Sequence, residues 1–317
     1  MSSTNPTDPA REPAHEGASA AENIAAEAGE VAPENEAATA NQAAAERRRQ
    51  LLGTIGQGAA TAGWAVVRGA SWAAGKVAQG YQAIDPDLRR HVAHAPLVGL
   101  THMSPARRQV TPLPDDGFRP ILFVHGLAGH PGNFGPMRAW FSFMGRTRTW
   151  SMSFEEAETM QQMADQLSQA VTDVVRINGL APDTRIDIVA HSMGGLISRL
   201  ALEHPETAAR IGTLVTLGTP HEGTQAARLA VTSRVLDLRP DSEVVRRLAL
   251  QLPWQRQHGM PRLVALWSPV DMLLMPPDSA RVPGAENIEM QGFTHLSYLI
   301  HPRAWQRVWS ALEQSPS

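Results

Sequence analysis

The run Ile186-Asp187-Ile188-Val189-Ala190-His191-Ser192-Met193-Gly194-Gly195 constrains this chain more than any other feature. Its apolar, β-branched residues suit a buried strand, and a helical pattern begins directly after the serine. A strand that turns straight into a helix crowds its own backbone, so the positions two before and two after the turning residue must be small. Here they are Ala190 and Gly194, and Gly195 gives the helix room to approach. Such a turn holds a serine oxygen in the open. A hydroxyl then becomes a nucleophile if a base can take its proton. The first small position is usually glycine in this pattern, and Ala190 departs from it by one methyl group.

Strand-like and helical stretches alternate from Phe118 to the C-terminus, which predicts an α/β domain with a doubly wound, mostly parallel sheet. Strands are expected over 121–125, 147–154, 186–190, 211–217, 263–267 and 288–291. A helix over 155–177 would bury Met160, Met163, Leu167, Ala170, Val171 and Val174, and Asn178-Gly179 would end it. Short helices broken at Arg239-Pro240 are expected over 222–252, and a closing helix over 302–312. In such a sheet the chemistry sits at the carboxyl ends of the strands.

The chain order serine, acid, histidine accompanies this type of turn. Asp271 follows the expected strand 263–267, and His295 follows the strand 288–291. In this reading His295 takes the Ser192 proton, while Asp271 holds the imidazole in its working tautomer and offsets its charge. Taken singly, a turn carboxylate and a surface histidine are the commoner readings; order and position together favour the triad. Asp278, beyond Pro276-Pro277, is the reserve acid. His301 beside Pro302 suits a surface or capping role, and His258 has no strand leading into it. Two backbone N–H groups, of Met193 and of Leu127 in His125-Gly126-Leu127-Ala128-Gly129, are the expected oxyanion donors. His125 would order that loop and His191 would pack beneath the turn.

With these pieces in place, the chain resembles bacterial lipases and esterases of the α/β-hydrolase superfamily. The resemblance rests on 125–129, 190–195, Thr216-Leu217-Gly218-Thr219-Pro220-His221-Glu222-Gly223, Asp271 ahead of Pro276-Pro277, and His295-Leu296-Ser297. It implies hydrolysis of carboxylic esters such as acylglycerols through an acyl-enzyme on Ser192, with no cofactor and no assigned metal. A lipase-like acyltransferase with the same triad and a non-catalytic binding protein on the same fold are the alternatives. Residues 225–252 would form a lid, a pocket wall or an ordinary covering helix. Phe134, Met137, Trp140 and Phe143 would line the acyl pocket or simply fill the core.

The first 117 residues take no part in the resemblance. Residues 1–50 are rich in Ala and Glu, lack aromatics and read as a disordered acidic tail. Residues 51–117 read as a Gly/Ala-rich helical segment and linker, ahead of a catalytic domain over 118–317. The stretch 51–81 falls short of the roughly 20 apolar residues of a membrane span, but it could lie at a membrane surface. No signal peptide and no cysteine are seen, so a cytoplasmic location is the default expectation, with a peripheral membrane site or non-classical export as alternatives. No basic stripe interleaved with aromatics points to nucleic acid as a partner.

Overall fold

Ile121–Val124 has no polar residue to turn toward water, so a strand there must be covered on both faces. The structure, a computed structural model, describes residue 46 and residues 85–103, 109–154, 157–229, 233–255 and 260–313. The expectations for 1–50 and 51–81 and for His258 therefore concern residues outside the described ones, Glu46 apart.

Six strands form one sheet: β1 (Ile121–Val124), β2 (Thr149–Ser151), β3 (Ile186–His191), β4 (Ile211–Leu217), β5 (Arg262–Trp267) and β6 (Glu286–Glu289). Their order is β2-β1-β3-β4-β5-β6, and each neighbouring pair is parallel. The chain runs outward from β1 to β2, then returns past β1 to build the sheet in the other direction. That reversal opens a crevice at the carboxyl ends of β1 and β3, where ligands bind in open α/β sheets.

The helices in chain order are α1 (Pro86–Thr101), α2 (Gly135–Phe143), α3 (Met160–Ile177), α4 (Met193–Ala201), α5 (Pro205–Arg210), α6 (Ser233–Leu236), α7 (Glu243–Ala249), α8 (Ser297–Ile300) and α9 (Pro302–Glu313). Alternate strand residues serve two cores. Leu122, Val124, Ile188 and Ala190 join residues of α3 and α4 on one face. Ile121, Phe123, Val189 and Val215 join residues of α2 and α9 on the other. At the opposite end of β3 from the turn, fully buried Asp187 meets Arg146 at 2.8 Å and Arg119 at 3.6 Å.

Some boundaries differ from the sequence expectation. The helix expected from 155 begins at Met160, because Thr159 and Gln162 close a reciprocal cap: each side chain bonds the other's backbone N–H at 3.2 Å. β2 is shorter than the expected 147–154, since it pairs with β1 alone and over three residues. β6 lies at 286–289, two residues before the apolar run that suggested it. It is an edge strand, and its polar residues Glu286 and Asn287 hide it from a search for buried strands.

α1 lies within 51–117, the stretch read as a Gly/Ala-rich helical segment and linker. Asp85 caps its start, accepting from the N–H groups of Asp87 at 2.8 Å and Leu88 at 3.2 Å. Val98 joins the second core.

Candidate active site

β3 delivers Ser192 to the crevice in an unusual backbone state, with φ +57° and ψ −130°. A side-chain-bearing residue held there stores about 1–3 kcal/mol of strain, and its surroundings must over-determine it. They do. The Ser192 N–H donates to the Leu217 carbonyl at 2.9 Å, tying the turn to β4. The Ser192 carbonyl accepts from Thr219 Oγ1 at 2.8 Å and from the Gly195 N–H at 3.0 Å. The small-residue rule has a direct cause: a Cβ on Gly194 would meet the Val124 carbonyl oxygen, and one on Gly195 would meet the Thr219 hydroxyl.

Asp271 lies in the turn after β5 and is fully buried. Its Oδ2 is 2.9 Å and its Oδ1 3.1 Å from His295 Nδ1, and the Leu273 N–H donates to Oδ1 at 3.2 Å. The geometry directs the Nδ1–H of His295 as a donor to the carboxylate, which places the basic lone pair on the other ring nitrogen. The structure thus brings the two together, and Ser192 and His295 line one pocket. Reserve acid Asp278 is exposed on a short 3₁₀ turn away from this pair. His301 caps α9, its Nδ1 accepting from the Arg303 N–H at 3.1 Å.

Two further histidines set this frame. His191 Nε2 donates to the His295 carbonyl at 2.9 Å, and the two rings sit 4.7 Å apart. Burial, reinforced by His295, pushes the His191 pKa down to about 3, so it stays neutral beneath the turn. His125 Nδ1 donates to the Gly126 carbonyl at 3.0 Å and orders the loop after β1. In that loop Gly129 N–H closes a turn onto the Gly126 carbonyl at 3.0 Å, and Ala128 takes φ +51°. The loop abuts the serine so closely that a Cβ on Gly126 would lie 2.7 Å from Ser192 Cβ. Leu127 lines the pocket with Ser192, and Met193 opens α4, where the first N–H groups have no partner within the helix.

The pocket holds about 310 Å³ and is mainly apolar, with Val98, Leu238, Leu274, Leu296 and Leu299 among its walls. Residues 225–252 divide into two parts. Ala226, Ala227, Val235 and Leu238 face the pocket. The later part is tied down: buried Arg199 of α4 donates to the Leu248 carbonyl at 2.5 Å and to Gln251 Oε1 at 3.2 Å. Residues 230–232 lie outside the described residues. Phe134 and Met137 take the core role, fully buried in the second core, with Trp140 packed against it. Phe143 is 87% exposed, because it falls at the last turn of α2 beyond the face that meets the sheet.

Sequence reasoning did not assign Thr219, Gly218 or α1 to the site. Gly218, at φ +54°, leaves empty the space where a Cβ would lie 2.9 Å from Asp271 Oδ2. His221 holds the same segment from below. Its Nδ1 is 3.3 Å from the Arg199 guanidinium and its Nε2 is 3.0 Å from Thr216 Oγ1. Burial, then the Arg199 charge, holds its pKa well below the usual range. Among the described residues no group of three or more His, Asp or Glu side chains is placed to hold a metal ion, and no helix is long and apolar enough to cross a membrane.

Residues 116–236 match the PGAP1-like alpha/beta domain family. A GPI inositol-deacylase of Candida albicans is 29% identical over 120 residues, covering 32% of this chain and 31% of the relative. A triacylglycerol lipase of Pseudarthrobacter phenanthrenivorans is 27% identical over 117 residues, covering 34% of this chain and 35% of the relative. The matches thus span about a third of these curated relatives. Among solved structures, mature Bacillus licheniformis lipase BlEst2 superposes with a TM-score of 0.55 at 19% identity, over 64% of this chain and 96% of that one. Aspergillus fumigatus lipase B gives 0.54 at 17% identity, over 63% and 53%. These likenesses speak for the fold.

Proposed function

We propose that this chain, an α/β-hydrolase related to the lipases and esterases, cleaves carboxylic esters through an acyl-enzyme on Ser192. One observation carries the reading. A histidine whose Nδ1 is held by a buried carboxylate lines the same apolar pocket as a serine at a strained strand–helix turn.

In this scheme His295 accepts the Ser192 proton as Oγ attacks the ester carbonyl, and Asp271 stabilises the resulting imidazolium. The developing oxyanion is met by the N–H groups of Leu127 and Met193. His295 then passes its proton to the departing alkoxide, which leaves as an alcohol. Water attacks the acyl-serine with His295 as base once more, releasing a carboxylic acid and restoring the serine. The apolar pocket suits an acyl chain, in keeping with the deacylase and lipase names of the relatives. The fuller substrate is an acylglycerol or another acyl ester of similar character.

The test is turnover of chromogenic esters of graded acyl length, and of a triacylglycerol emulsion, beside a Ser192→Ala control. Wild type should exceed the control by about 10³-fold or more. Equal rates at every chain length would sink the reading. Adding an alcohol acceptor and measuring how product divides between acid and new ester separates hydrolysis from acyl transfer.

A further inference from the structure

The family match begins at residue 116, and α1 lies wholly before it. One face of this helix nevertheless reaches both halves of the site. Its residues are Arg90, His94, Val98 and Thr101, at the spacing that stacks side chains along one side of a helix. Arg90 donates to the Gly292 carbonyl at 2.7 Å. One turn on, His94 Nδ1 lies 3.1 Å from Ser297 Oγ and 3.4 Å from Thr294 Oγ1. The Thr294 N–H donates to Ser297 Oγ at 2.9 Å, and Thr294 Oγ1 lies 3.0 Å from the same oxygen, so His94 and the two hydroxyls form one small network. Gly292, Thr294 and Ser297 bracket His295, and both hydroxyl residues are buried.

The other end of α1 meets the opposite loop. Asn133 Nδ2 donates to Thr101 Oγ1 at 2.9 Å, while Asn133 Oδ1 accepts from the His130 N–H at 2.5 Å. His130 directly follows the turn 126–129. A Cβ on Gly132 would collide with the Thr101 carbonyl oxygen, so the end of α1 sits hard on this loop. The rings of His102 and His130 are 5.0 Å apart. Burial, then the charges of Arg90, His301 and His91, lowers the His94 pKa, which favours the neutral ring.

We propose that α1 is a positioning strap of the active site: His94 holds the loop of His295, and Thr101, through Asn133, holds the oxyanion loop. The proposal rests on the ester-hydrolase reading for what is positioned. His94 acts through Ser297 and Thr294 and touches no reacting atom. Its value is in geometry, because a displacement of about 1 Å between base and oxyanion donors costs roughly 100-fold in rate.

The full chain carrying His94→Ala, His94→Asn or Thr101→Val tests this. The readouts are kcat and KM on a chromogenic ester, the pH–rate profile, and titration of the His295 ring followed by NMR. The ionisable groups facing that ring and its partner are Asp271, His191, Tyr298 and His91 of α1. His94→Ala should lower kcat about 10- to 100-fold with KM changed less than about twofold, and should shift the profile. His94→Asn keeps an acceptor near the Nδ1 position and should recover most of the loss. A folded His94→Ala protein with wild-type kcat and wild-type profile would overturn the strap. Thr101→Val, expected to reduce kcat from the other end, decides the matter if His94→Ala does not fold. The NMR titration needs no turnover. If wild type cleaves no ester, the function reading fails alone, and an unchanged His295 titration in His94→Ala would overturn the strap separately.

Discussion

Gly218→Ala adds one methyl group at the point where the acid, the base and Tyr298 converge. The backbone there has φ +54°, which costs a residue with a Cβ about 1–2 kcal/mol. The new Cβ would lie 2.9 Å from both Asp271 Oδ2 and Tyr298 Cε2, and 3.4 Å from His295 Nδ1. Ordinary contact needs roughly 0.5 Å more. The Tyr298 ring is fully buried and cannot swing away, so the carboxylate must give. Overpacking of this kind adds about 1–3 kcal/mol, for a total near 2–5 kcal/mol of lost stability. Activity should fall further than stability suggests. Displacing Asp271 loosens its hold on His295, and a loss of about 100-fold in kcat corresponds to roughly 2.7 kcal/mol of transition-state stabilisation.

Gly179→Ala supplies the control. It has nearly the same dihedral, φ +57°, and a Cβ there would meet nothing within 4 Å. It should lose about 1–2 kcal/mol in a urea titration and keep its activity. Ester turnover per folded molecule, measured for both variants, separates strain from site geometry. If Gly218→Ala stayed within about threefold of Gly179→Ala in kcat/KM, the empty Cβ position would not be what sets the pair, and the reasoning would be wrong.

Acid should weaken the fold above the carboxylate range. His191 and His221 are depressed in the folded chain and titrate near 6.5 when unfolded, so the unfolded state binds more protons as pH falls. Their stabilisation is complete well above pH 6.5 and drains below it, the loss reaching about 1.4 kcal/mol per histidine at pH 5.5. Urea midpoints that do not fall between pH 7.5 and 5.5 would contradict this. Asp187→Ala should cost about 3–5 kcal/mol, because it strands the buried Arg146 guanidinium at the far end of β3. Calorimetry reads that loss, and the activity of the remaining folded protein should be unchanged.

Local chemistry explains what could be read early. Strands buried on both faces announce themselves by unbroken apolar runs, as in Ile121–Val124. The strand–serine–glycine turn is equally local, since its crowding acts between neighbours in sequence. Asp271 and His295 could be ranked above Asp278 and His301 because each follows a strand end. Edge strands were harder to see: β6 carries Glu286 and Asn287 and lacks the buried signature.

The sequence by itself determined the alternation of strands and helices, the turn at Ser192 and the order of the residues that converge on it. Tertiary structure decided the rest, because those properties depend on groups far apart in the chain. It decided that the space above Gly218 stays empty for Asp271, and that Phe134 and Met137 go to the core and leave the pocket to Val98 and Leu299. It also set α1, within the stretch read as a helical segment and linker, against residues some 200 positions away at Thr294 and Ser297. No periodicity carries such a contact. It exists because the parallel strands put the loops after β1 and β6 at the same end of the sheet, where a single helix face can span both.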